Sequence, residues 1–142
     1  MIYNHISLFF LFLFISLINT IATTHLYPIM LLGVIYYIFS YLLNSKEYYK
    51  ILWIIFTFII FEINFGFPFF SIILLSYFNY SIVIPYLSTN LSFNKDNYFL
   101  STLIYYIIFY VFLILFYSTT ENLMIQVFVN YIIDILILTV IL

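Results

Sequence analysis

An all-α helix bundle that crosses a membrane about six times is the fold class this sequence predicts. Three observations carry the prediction. The chain of 142 residues is 68% hydrophobic and 6% charged, a balance that cannot furnish the surface of a water-soluble domain of this size. Apolar runs long enough to cross a bilayer recur from end to end, leaving no room for a separate soluble domain. The three lysines fall only in alternate connectors.

The spans are expected near 6–22, 26–43, 51–64, 68–87, 98–118 and 123–142, within a single integral membrane domain covering 1–142. The first contains "ISLFFLFLFISLI", which lacks a basic n-region and is not followed by a small-x-small cleavage site, so it reads as a retained span, with Met1 as the expected mature start, and not as a signal peptide. Pro28 and Pro68 are expected in the first turns of the second and fourth spans, where a missing N–H costs nothing. The third, around "ILWIIFTFIIF", is short and needs its polar flanks to reach both interfaces. Gly66 marks a tight turn before the fourth, and Pro85 is expected to close that helix near its end. With six spans, "NSKEYYK" (Lys46, Lys50) and "STNLSFNKDN" (Lys95) share a face with both termini, while "NTIATTH", "NFGFP" and "STTEN" carry no lysine on the other. The positive-inside tendency then places both termini in the cytoplasm of a multi-pass protein of the cell inner membrane.

Composition excludes several classes of function. No cysteine means no disulfide, thiol nucleophile or thiolate metal site. Three lysines and no arginine cannot build a nucleic-acid or anionic-lipid patch, so the bilayer and other integral membrane proteins are the expected partners. His5 and His25 stand far apart near span ends, without neighbours at metal-ligand spacing; no metal or cofactor is expected. The hydroxyls of "STTEN" and "ATT" have no base arranged beside them, and no catalytic residue is assigned, so the chain reads as non-enzymatic. Frequent Tyr, Phe and Asn fit an AT-rich coding sequence, and the rings read chiefly as lipid-facing filler and interfacial anchors.

Ionisable and amide side chains in the spans are the candidate contact residues, because they are costly at membrane depth and face protein, water or a partner. "FEINFGFPFF" sets Glu62, Asn64, Gly66 and Pro68 at the outer end of the third span, where the carboxylate is expected to be solvated or to serve helix packing and partner docking. In the last span Gln126, Asn130 and Asp134 recur every four residues and share one helical face, with Asp134 near the middle. Such a stripe needs partners on another helix, either within the protein or in a neighbouring one.

The order of features from "YPIMLLGVIYYIFSYLL" through "FTFIIFEINFGFPFFSIILLSYFNYSIVIPYL" to "VNYIIDILILTVIL" resembles the rod shape-determining MreD family over roughly residues 25–142. Members of that family are small, with about six spans and both termini inside. The matching positions are Pro28, Glu62, Gly66 and Asn130, with Glu62 standing where the family usually has Asp. The resemblance implies a non-enzymatic component of the cell-elongation machinery that binds a periplasmic scaffold of the MreC type. It also implies that Glu62 and its turn shape an outer docking surface. Two other readings fit the same composition: a small packing subunit of a respiratory or transport complex, bacterial or organelle-encoded, and a transporter specificity subunit that binds a hydrophobic small molecule. A ligand-sized, polar-lined cavity is the feature expected of the last and not of a scaffold.

Overall fold

The computed structural model describes residues 5–23, 30–91, 97–116 and 123–141. Every regular element among them is helical. The helices are α1 (His5–Thr23), α2 (Leu32–Asn44), α3 (Tyr48–Phe65), α4, α5 (Tyr98–Phe116) and α6 (Leu123–Ile141). Here α4 denotes a continuous helix made of an α segment Ser71–Phe78, a π-helical segment Asn79–Val83 and a second α segment Ile84–Leu91. Three stretches, Tyr48–Phe65, Ser71–Asn90 and Tyr98–Phe116, are long and apolar enough to cross a membrane.

Each expected span contains a helix, but four boundaries differ for physical reasons. The second helix begins only at Leu32, because Met30 and Leu31 are non-helical and Leu31 is left-handed at φ 53°. Pro28 lies outside the described residues. At 13 residues, α2 is about 20 Å long, short of a roughly 30 Å hydrocarbon core. The third span, expected to be short without its flanks, is a full 18-residue helix with Tyr48, Tyr49 and Lys50 in its first turn. Pro68 is not in a first turn: Phe70 is the left-handed N-cap of α4, at φ 66°, and Pro68 contributes its carbonyl to the Ser71 N–H at 3.1 Å.

Pro85 does not close α4 either, since the helix runs on to Leu91. The proline ring would collide with the carbonyl four residues back in a regular α-helix. The π turn directly upstream widens the helix at that place and supplies the room, so the chain continues past the proline.

The shortest helix is the most enclosed. α2 packs against α3, α5 and α6 and buries eight of its thirteen residues. Phe39 meets Phe58 of α3 edge to face at 5.8 Å, and Tyr36 stacks on Tyr105 of α5 at 4.3 Å with ring planes 3° apart. α1 lies outside on α3, with Phe9 and Phe12 against Trp53. The expectation that rings serve mainly as filler is therefore corrected in part. Tyr36, Phe58, Phe61, Tyr105 and Phe109 are wholly buried, while Phe10, Phe14, Phe70 and Phe116 point outward.

Burial of polar groups is inverted relative to a water-soluble domain. Asn19, Thr57, Glu62, Ser76, Asn79, Thr102 and Asp134 are fully or almost fully enclosed, whereas large apolar side chains such as Leu74, Ile125, Leu136 and Val140 cover the outside.

The α3 C-terminus is a Schellman closure. Gly66 is left-handed at φ 70° and donates its N–H to Ile63 O, and the Phe67 N–H reaches Glu62 O at 2.9 Å. Phe67 then folds back onto Phe61 at 5.8 Å. A Cβ at Gly66 would meet nothing within 4 Å, so only the backbone conformation is at stake. Gly66→Ala is therefore expected to lower stability by about 1–2 kcal/mol while leaving the helical circular dichroism of the detergent-solubilised protein unchanged. A thermal melt reads the difference.

Candidate functional site

A helix exposes its first N–H groups without intrahelical acceptors, and inside an apolar bundle these cannot turn to water. Two helices here, α2 and α4, start with left-handed apolar residues, Leu31 and Phe70, which have no side-chain oxygen to cap them. In both cases the acceptor is brought from another helix.

At the α4 start it is Glu62. This side chain is fully buried, so of the two expectations for it, solvated or engaged in helix packing and docking, the solvated one is corrected. Its Oε2 accepts the Phe70 N–H and its Oε1 the Ile72 N–H, each at 2.7 Å. The carboxylate sits where two donors at the start of α4, which have no acceptor of their own, converge. The Schellman turn at Gly66 reverses the chain so that α4 begins over the same residue whose backbone carbonyl closes α3. Asn64, half-buried, points elsewhere: its Nδ2 lies 3.4 Å from Thr20 Oγ1 on α1.

At the α2 start the acceptors come from the α6 stripe. Asn130 Oδ1 accepts the Met30 N–H at 2.8 Å, and Asp134 Oδ2 accepts the Gly33 N–H at 2.6 Å. The same Asp134 oxygen receives the Tyr106 hydroxyl of α5 at 2.5 Å. Three helices thus meet at one carboxylate. Asn130 turns its amide nitrogen to the Gln126 carbonyl at 2.9 Å, so Gln126 joins the stripe through its main chain, and its own side chain is half-buried. Of the stripe, Asn130 and Asp134 reach across to α2.

Gly33, Thr102 and Tyr106 complete this junction and were not singled out from the sequence. A Cβ on Gly33 would stand 2.5 Å from Thr102 Cγ2, 2.7 Å from Asp134 Oδ2 and 2.9 Å from the Tyr106 ring. The absence of a side chain is what lets α5 and α6 close on the α2 N-terminus. One signal pointed there: the chain has only two glycines, and each serves a backbone requirement.

A second feature lies nearer the other end of α2. A cleft of about 400 Å³ opens between α2, α4 and the first turns of α5. Tyr36, Tyr37, Ser40, Tyr41, Tyr80 and Ser81 form most of its wall. The π segment of α4 supplies both Tyr80 and Ser81. Among the described residues no acidic or basic side chain lines the cleft. Among the described residues no three His, Asp or Glu side chains gather as a metal site would require. His25 lies outside the described residues.

Comparison with known protein families, curated proteins and solved structures finds no match to this chain.

The junctions make graded predictions. Glu62→Ala leaves the buried Ile72 N–H and the partly buried Phe70 N–H without their acceptor and is expected to cost about 1–3 kcal/mol for the first and less for the second, whereas Glu62→Gln retains one acceptor oxygen and costs less. Asp134→Leu should exceed Asp134→Asn for the same reason. Gly33→Ala should destabilise by about 1–3 kcal/mol through overpacking, despite Ala's better helix propensity. Chemical denaturation in mild detergent, compared across these variants, tests the order.

Proposed function

We propose that this chain is a multi-pass membrane protein with six crossings and both termini in the cytoplasm, and that it acts without catalysis as a partner-binding scaffold of the cell-elongation machinery. The support for the membrane assignment is the inverted burial: carboxylates and amides inside, Phe, Leu, Ile and Val outside. The lysine pattern supports the orientation.

One observation carries the scaffold reading. The positions that match the MreD-like pattern, Glu62, Gly66 and Asn130, are fold-fixing groups at two helix junctions. Glu62 and Asp134 are both held as hydrogen-bond acceptors within the bundle. In this reading the α3–α4 turn presents Phe69 and Phe70, which are exposed, to a scaffold of the MreC type. Glu62 keeps that turn in shape through the Phe70 N–H.

Affinity purification of the tagged protein from its native host in mild detergent tests this proposal. A periplasmic scaffold and peptidoglycan synthases are expected to co-purify, and Glu62→Gln is expected to reduce their recovery several-fold. Unchanged recovery in the variant, or respiratory or transport subunits in place of the scaffold, would refute it.

The polar-lined cleft favours a second reading, in which the chain is a small-molecule-binding component of a transport assembly.

A further inference from the structure

The cleft between α2, α4 and α5 has the volume of a small-ligand site, and its chemistry is narrow enough to say what would fit. Its walls are held in place before any ligand arrives. Tyr36 is stacked flat on Tyr105, whose hydroxyl shares a 3.1 Å hydrogen bond with Ser76 of α4. Tyr37 packs edge to face on Tyr98. Tyr80 reaches from the π segment to the end of α2, donating its hydroxyl to Asn44 Oδ1 at 2.7 Å and so tying α4 to α2 across the cleft.

The hydroxyls that line the cleft are oriented by their own helices. Ser40 donates to Tyr37 O at 2.8 Å, Ser81 to Tyr77 O at 2.7 Å and Ser101 to Tyr98 O at 3.1 Å. A serine whose proton is already committed to a backbone carbonyl has only lone pairs left to offer. The lining therefore presents serine acceptors beside tyrosine hydroxyls, the Asn44 amide and aromatic surface, and among the described residues it holds no formal charge to compensate an ionic ligand, whose desolvation would go unrepaid. The π segment brings two of these residues inward, and single π turns within α-helices are frequent at functional sites.

We infer that this cleft binds an uncharged, flat heteroaromatic molecule that carries ring N–H or hydroxyl donors, with its ring against the tyrosines and its donors on the serine oxygens. The inference deepens the small-molecule reading and rests on it, and a ligand in this cleft would count against the scaffold reading.

The probes are indole, 1-methylindole and indole-3-acetate, titrated against the full-length protein in detergent by ligand-observed NMR, with Ser81→Phe as a cleft-filled control. Saturable binding of indole is expected, about tenfold weaker for 1-methylindole, which lacks the donor, and absent for the carboxylate. The indole signal should disappear in Ser81→Phe at an unchanged melting temperature. If that variant fails to fold, Tyr80→Phe, which releases the tie to Asn44, is expected to shift indole affinity at least threefold. Equal binding of all three probes, or binding unaffected by Ser81→Phe or Tyr80→Phe, would overturn the inference. Cleft-dependent binding of the carboxylate alone would overturn the ligand class and keep the small-molecule reading. No cleft-dependent binding by any probe would overturn the ligand class, and the small-molecule reading would then lose the observation that favours it.

Discussion

A helix that begins inside an apolar assembly needs an acceptor from somewhere else, and much of this structure follows from how that need is met. α2 and α4 both begin at residues whose own side chains are hydrocarbon, Leu31 and Phe70. The acceptors are borrowed: Glu62 from α3, Asn130 and Asp134 from α6. A carboxylate suits the task because it carries two acceptor oxygens. Each borrowed cap is also a fastening. Glu62 fixes the angle at which α4 leaves α3, and Asp134 locks α2, α5 and α6 together at one oxygen.

Around these junctions the aromatic residues divide into two populations that composition cannot separate. One is internal and geometrically specific, with Tyr36 on Tyr105, Phe39 on Phe58, and Phe61 with Phe65 and Phe67 at the α3 closure. The other faces outward along α1, α4 and α6. The outer population adds apolar area without order, as lipid requires, and the inner one sets distances between helices.

What was legible in the sequence was whatever depends on local pattern. Apolar run length located six helices, Gly66 marked a real reversal, and the four-residue spacing of Asn130 and Asp134 correctly put both on a face that meets protein. What was not legible depends on partners distant in the chain. Hydropathy cannot tell Met30 and Leu31 as coil from the same residues as helix, so the late start of α2 was invisible. Glu62 looked like a helix-end carboxylate beside water, since nothing nearby in sequence announces that the next helix will begin on top of it. The continuation of α4 through Pro85 relies on a π turn, which has no distinct hydrophobic period of its own. Gly33 was passed over for the same reason: its importance lies in Thr102, Tyr106 and Asp134, which arrive from elsewhere.

The two borrowed caps differ in when they become available. Glu62 and the amides it holds are eight and ten residues apart, so that junction closes as soon as α3 and the first turn of α4 exist. Asp134 and Gly33 are 101 residues apart. During synthesis, which proceeds at roughly 5–20 residues per second, the enclosed central helix therefore waits for the last one with its first turn unsealed. A chain interrupted before α6 would lack the Asp134 acceptor and keep the Gly33 N–H without it.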